Sequence, residues 1–300
     1  MLVTGGSGLL GVNWAMTVCD RMDVTLGLHQ RKITLNSVDT QVLDLSSEDE
    51  IRAGLELTKP DIVVHAAGLT SVERCENYPD EARRLNVDLA ENIAKACAKC
   101  DATLVHISSD HLYRGDRPNR KEPDETSPVN EYARTKLIAE ERVIAACPDA
   151  LIVRTNFFGW GTSYRHSFSD IIINSLRGER EIQLFRDVYY TPMLIEAAVE
   201  SVHDLIAAGA SGVLHVVGDE RVSKYEFGLR LAREFGLNEA LIKPVSINER
   251  ADLIRRPLDM SLSNGRVQSI LGRRLGKVQD YLARLKWQEQ AGIARKIAEL

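Results

Sequence analysis

From its first residues the chain alternates short apolar runs with amphipathic stretches, the rhythm of β-α-β units and a parallel sheet. Strands are expected at Met1 to Thr4, Val24 to Leu28, Asp61 to Ala66, Thr103 to Ser108 and Ala150 to Arg154, with a further one before Asp44. Their Val, Ile and Leu content lacks polar alternation, as strands covered on both faces require. Between them the spacing predicts helices over Ser47 to Leu57, Pro79 to Lys99 and Glu131 to Ala146. A right-handed, doubly wound parallel α/β sheet is the economical arrangement. After Thr155 the rhythm loosens, so residues 1–156 are expected to form a dinucleotide-type domain and residues 157–300 mainly a smaller C-terminal lobe. A strand near 212–217 is expected to return to the first domain. Ser223, Glu226 and the Val222/Phe227 pair mark the start of a lobe helix by N-cap, N3 and hydrophobic staple. Three prolines and dense charge make Arg114 to Pro128 an exposed loop, expected to arch over the sheet's C-terminal edge as a lid.

Composition narrows the class. Hydrophobic residues at 44% and charged residues at 27% are those of an ordinary globule, and the net charge of -5 offers no basic excess for nucleic acid or an anionic membrane. With no run of 18 apolar residues and no charged leader ahead of Leu2-Val3-Thr4, a cytoplasmic protein is expected. Cys97 and Cys100 form a C-x-x-C that reads as mid-helix, whereas redox pairs sit at helix starts; they are read as unreactive thiols. No second Cys/His pair offers a metal site.

The opening Thr4-Gly5-Gly6-Ser7-Gly8-Leu9-Leu10-Gly11 lies between a strand and an apolar helix start, the setting a dinucleotide fingerprint needs. Gly5 allows the tight turn, Gly8 lets backbone approach a pyrophosphate, and Gly11 permits close helix packing. The amides of Leu9 and Leu10 are then free to bind phosphate. After the second strand the sequence is His29-Gln30-Arg31-Lys32, without the acid that would hold a ribose 2′-hydroxyl. Arg31 and Lys32 can instead pair a 2′-phosphate, which favours NADP(H) while leaving NAD(H) open. Asp44 and Leu45 are candidates to meet the adenine.

Tyr132 and Lys136 are one helical turn apart, so their Cβ atoms lie about 5 to 6 Å from each other. An ammonium about 4 Å from a phenol contributes on the order of 4 kcal/mol at an effective dielectric of 20. The expectation is a Tyr132 pKa lowered by up to roughly 3 units, an acid and base near neutrality. Ser109 ends a preceding strand, where its hydroxyl can donate to a substrate carbonyl. For Asp110 and His111, contact with substrate hydroxyls and a role in shaping the turn remain open.

Together these segments resemble the extended short-chain dehydrogenase/reductase family, and within it the dTDP-4-dehydrorhamnose reductase branch. The likeness runs through Val3 to Gly11, His65 to Glu73, Ile107 to Tyr113, Pro128 to Lys136, Arg154-Thr155 and Arg256-Pro257. The resemblance implies a Rossmann-like fold, NADPH-dependent reduction of a 4-keto-6-deoxy sugar nucleotide, and Ser109, Tyr132 and Lys136 as catalytic residues. It implies a cofactor lined by Gly5, Ser7, Gly8, Leu9, Leu10, Gly11, Asp44, Leu45, Ala66, Ala67, Gly68, Tyr132 and Lys136. It further implies substrate contacts from Thr70, Val72, Ser109, Asp110, His111, Tyr132 and Phe157, and a homodimer through helices Pro79 to Lys99 and Glu131 to Ala146. Three positions depart from the branch: His111 for tyrosine, Phe157 for tryptophan and Met193 for threonine. Two other readings share the fold. One is a non-catalytic regulatory subunit resembling the β subunit of methionine adenosyltransferase; the other is a sugar-nucleotide epimerase or dehydratase that retains NAD.

Overall fold

In the computed structural model, which describes residues 1–300 apart from Asp44 and Ser46, seven parallel strands form one sheet. They are β1 (Leu2–Thr4), β2 (Thr25–Leu28), β3 (Asp39–Val42), β4 (Ile62–His65), β5 (Thr103–Ile107), β6 (Leu151–Arg154) and β7 (Gly212–His215), in the spatial order 7-6-5-4-1-2-3. Each strand divides its side chains between two cores. Val3, Val64 and Val105 join Trp14 and Val18 on one face, while Leu2, Val63 and Leu104 join Leu55, Ile93 and Ala139 on the other. Two covered faces explain the unbroken apolar runs. Strand order reverses between β1 and β4, so the loops that begin at Gly5 and Ala66 open side by side at the point where such sheets bind ligands.

The intervening helices are α1 (Leu9–Val18), α2 (Glu48–Thr58), α3 (Val72–Asn77), α4 (Pro79–Arg83), α5 (Leu89–Cys100) and α6 (Glu131–Ala146). Helix α3, capped by Ser71, is absent from the sequence reading. The single helix expected over Pro79 to Lys99 is interrupted by a π-helical turn at Arg84–Asp88, which turns Asn86 inward to 2% exposure. Cys97 and Cys100 sit in the last turn of α5 rather than mid-helix, and burial pushes the Cys97 thiol up.

Beyond Phe157 the chain builds α7 (Phe168–Arg177), α8 (Ile195–Ala207), α9 (Lys224–Phe235) and three small strand pairings. Phe157–Phe158 runs beside Met193–Leu194, Tyr189–Tyr190 beside Val222–Ser223, and Ile182–Phe185 beside Ile242–Val245. Phe158, Trp160, Tyr190 and Phe227 continue the first core into this region. Ser223 caps α9 by accepting the Glu226 amide at 3.0 Å, but the Glu226 carboxylate turns to Arg230 instead of closing a capping box.

The loop 114–128 is tethered, contrary to a free lid. Arg120 donates its amide to the Ser261 carbonyl at 3.0 Å, its carbonyl accepts from the Ser263 amide at 2.8 Å, and its side chain is 7% exposed. Tyr113 fixes the same segment by donating to the Lys121 carbonyl at 3.0 Å.

Candidate active site

A cavity of about 610 Å³ opens above the strand-order reversal. One wall is the glycine loop. Gly5 has φ +69°, and a Cβ there would come within 2.9 Å of Ala67 backbone; a Cβ on Gly11 would meet the Gly5 carbonyl at 2.7 Å. Only glycine lets the loop, β4's exit and α1 approach so closely. Helix α1 starts from Gly8 with no side-chain cap and no acidic residue in its first turn, which leaves its amides and dipole for an anion. Tyr164 closes this end by donating to the Ser7 carbonyl at 2.9 Å, and the Arg31 guanidinium lies 3.8 Å from the centre of the Tyr164 ring. Arg31 is thus oriented by an aromatic face that lines the cavity, but Arg31 and Lys32 are both exposed and neither is part of the cavity wall.

The opposite wall carries Ser109, Tyr132 and Lys136. Lys136 reaches back from α6 to donate to the Ile107 carbonyl at 2.7 Å, and burial lowers its pKa to about 8. Burial raises the Tyr132 pKa to about 12, against the pull of a hydrogen bond with Ser109. The expected lowering by Lys136 is therefore overturned. The lysine spends a donor on backbone, and removing the phenol from water outweighs the rest.

Asp110, 1% exposed, accepts from Asn156 Nδ2 at 2.7 Å and lies 2.8 Å from His111 Nδ1. His111 donates its amide to Ser109 Oγ at 3.2 Å, and its ring stands edge-on to Tyr132 at 5.5 Å. Asp110 and His111 thus do shape the turn, while both still line the cavity. Behind them, Ser108 and Arg154 converge on Glu140, with Arg154 Nη2 at 2.6 Å, and Arg154 continues to Tyr113 at 2.7 Å. Beneath Lys136, His65 and His106 are paired across β4 and β5, their rings tilted by 32° with centroids 5.4 Å apart. Burial, aided by the Lys136 charge, holds both neutral, His65 at about 3 and His106 well below its usual value.

Of the residues singled out in the sequence, Gly5, Ser7 to Gly11, Ala66 to Gly68, Thr70, Ser109 to His111, Tyr132, Lys136 and Phe157 share this one cavity. Leu45 and Val72 do not line it: Leu45 packs toward the second core, and Val72 is 7% exposed at the start of α3. Asp44 lies outside the described residues. The sequence reading missed Asn86, whose side chain accepts the Leu69 amide at 2.7 Å and donates to Thr135 at 3.0 Å, tying the loop after β4 to the Tyr132 helix. A lone asparagine amid Leu85, Val87 and Ala90 was the available signal. Also missed was Arg165, which spans the cavity mouth to donate to Thr70 at 2.6 Å.

A family model described as the RmlD substrate binding domain matches residues 1–290. The chain belongs to that family. Its similarity extends to a probable low-salt glycan biosynthesis reductase of Haloferax volcanii, 28% identical over 95% of this chain and 96% of that protein. A dTDP-4-dehydrorhamnose reductase of Mycolicibacterium smegmatis is 28% identical over 89% of this chain and 78% of its own length. The β subunit of methionine adenosyltransferase 2 of Bos taurus is 26% identical over 90% and 82%. Among solved structures, a hypothetical dTDP-4-dehydrorhamnose reductase of Sulfolobus tokodaii superposes with TM-score 0.81 at 28% identity, covering 92% of this chain and 96% of that one. The dTDP-4-dehydrorhamnose reductase of Bacillus anthracis in complex with NADP has the same fold, with TM-score 0.82 at 23% identity over 96% and 98%. RmlD membership agrees with the family resemblance carried by the motifs. No helix among the described residues is long and apolar enough to cross a membrane.

Proposed function

We propose that this RmlD-family chain is a cytoplasmic, NADPH-dependent reductase of a 4-keto-6-deoxy sugar nucleotide. One observation carries the reading: a glycine cradle with an uncapped helix start and a Ser109, Tyr132, Lys136 group line a single cavity. The names of the curated relatives support it, as does the NADP in the complex of the Bacillus anthracis neighbour, and Arg31 on the Tyr164 ring is a cation available to a 2′-phosphate. The donor set fits that cofactor. Gly5, Ser7, Gly8, Leu9, Leu10, Gly11 and Ala66 to Gly68 would hold it, with Arg31 and Lys32 at its 2′-phosphate. When bound, NADPH supplies a hydride.

Ser109 donates to the substrate carbonyl oxygen and polarises it. Tyr132, with its phenol protonated throughout the neutral range, gives that proton to the oxygen as negative charge develops. Lys136, a cation below about pH 8, stabilises the phenolate left behind and holds the cofactor ribose. Asp110 and Asn156 keep the His111 ring against Tyr132, and residues 157–300, apart from β7, hold the sugar nucleotide with Thr70 and Phe157. Pairing of two copies through α5 and α6 belongs to the same proposal and is carried over from the family.

The test is NADPH consumption with dTDP-, UDP- and GDP-linked 4-keto-6-deoxy sugars. One of the three should be reduced by the wild type, and Tyr132→Phe should lower kcat by orders of magnitude with NADPH affinity kept. NADP(H) binding without turnover of any keto sugar would favour the regulatory-subunit reading, to which the methionine adenosyltransferase relative lends weight.

A further inference from the structure

One turn of the lobe reaches across onto the sheet. Its base is fixed: Asp170, 4% exposed, accepts the amides of both Gly161 and Ser167 at 2.8 Å, and the Arg165 amide closes the turn on the Thr162 carbonyl at 3.2 Å. A Cβ on Gly161 would come within 2.2 Å of the Arg165 carbonyl, so only glycine permits a turn this tight. At its tip, two side chains span the crevice where the strand order reverses. Tyr164 donates to the Ser7 carbonyl in the loop after β1, and Arg165 Nη2 donates to the Thr70 hydroxyl in the loop after β4. All four residues line the main cavity.

Arg165 is exposed, and Thr70 takes one of its five N–H donors. Asp110, the one carboxylate among the lining residues, is engaged by Asn156 and His111. Besides Lys136, which is buried and bonded to the Ile107 carbonyl, Arg165 is the one lysine or arginine on the cavity wall. The same wall holds the uncapped start of α1, whose dipole is equivalent to roughly half an elementary charge. That falls short of a dinucleotide diphosphate, which carries a negative charge on each phosphate. A guanidinium adds a full charge in a planar fork that matches phosphate oxygens.

We propose that Arg165 pairs with the diphosphate of the dinucleotide, and that the Tyr164 bond to Ser7 holds residues 162–166 over it as a clasp that opens for exchange. This rests on the NADPH reading above. Tyr164 favours the dinucleotide over the sugar nucleotide as the partner, because it ties the turn to the glycine loop and seats Arg31 on its ring. Such a clasp acts mainly on departure of the ligand.

Release of NADPH from the full chain, followed by stopped-flow fluorescence with excess NADP+ as competitor, reads the clasp without turnover. Arg165→Met keeps the length of the side chain without its charge, and Tyr164→Phe keeps the ring beneath Arg31 without the Ser7 bond, so both variants should melt like the wild type. Arg165→Met should release NADPH about tenfold faster and bind 2′-phospho-ADP-ribose about tenfold more weakly, with affinity for 2′-AMP, which lacks the diphosphate, unchanged. Arg165→Lys should recover part of the loss. Tyr164→Phe should speed release of NADPH and NADH by the same factor. Unchanged NADPH release from Arg165→Met, or an equal weakening of 2′-AMP, would overturn the pairing, and unchanged release from Tyr164→Phe would overturn the clasp. A loss confined to dTDP, UDP or GDP added to the NADP+-loaded chain would overturn the pairing too, by assigning Arg165 to the sugar nucleotide. Failure of the reductase reading looks different: the faster release persists while no keto sugar oxidises NADPH.

Discussion

At the scale of single residues, the decisive quantity is the water each active group has lost. Spacing alone makes Lys136 the reason Tyr132 should become acidic, but burial sets the phenol near 12 and the ammonium near 8. For reduction this order is serviceable, since the proton donor keeps its proton and the charge behind it is what titrates. The folded pKa of Lys136 is depressed, so its cationic form is present below about pH 8 and lost above it. The pH profile of kcat/KM for reduction should be level through neutrality and fall as pH rises through about 8; a profile that stays level to pH 10 would remove Lys136 from that limb. Arg31 offers a second test. Held on Tyr164, its guanidinium keeps its donors for a 2′-phosphate, so replacing Arg31 and Lys32 with alanine should weaken NADPH by about 10- to 100-fold and NADH little. Equal losses measured by fluorescence titration would exclude phosphate selection by these residues.

Elements were legible where a local period fixes them. The Tyr132–Lys136 face, the α1 start after Gly8 and the Ser223 cap follow from helical spacing and capping chemistry, and the structure has all three. The π-helical turn at Arg84–Asp88 was hidden, because its purpose is to point Asn86 at Leu69 and Thr135, partners 17 and 49 residues away. The loop 114–128 misled through composition. Prolines and charges describe an exposed surface but say nothing of Ser261 and Ser263, which hold Arg120 from more than a hundred positions away. Trypsin should therefore cut after the exposed Arg114 before Arg120, at a rate the sugar nucleotide does not change; strong protection by ligand would restore the lid.

Across the whole molecule, a buried polar chain joins sheet, active site and lobe. It runs from Ser108 through Glu140 and Arg154 to Tyr113, whose hydroxyl lies 3.1 Å from His215 on β7, and His215 in turn faces the Ser263 carbonyl at 3.2 Å. Arg154 and Glu140 are 6% and 3% exposed, so removing one strands the other's charge in a dry interior. Arg154→Met should lower stability by about 3–5 kcal/mol in urea unfolding, and Arg154→Met with Glu140→Leu should recover part of that loss. If the double variant were as unstable as the sum of the singles, the pair would not be coupled. The account's central claim is reduction of a sugar carbonyl at the cavity shared by the glycine cradle and Tyr132, and isotope transfer tests it most directly. With NADPH carrying deuterium at the transferable position and a 4-keto-6-deoxy sugar nucleotide as acceptor, mass spectrometry should find one deuterium on the product's C4 for each NADPH oxidised. A sugar converted without label and without net NADPH oxidation, or no conversion at all, would contradict it.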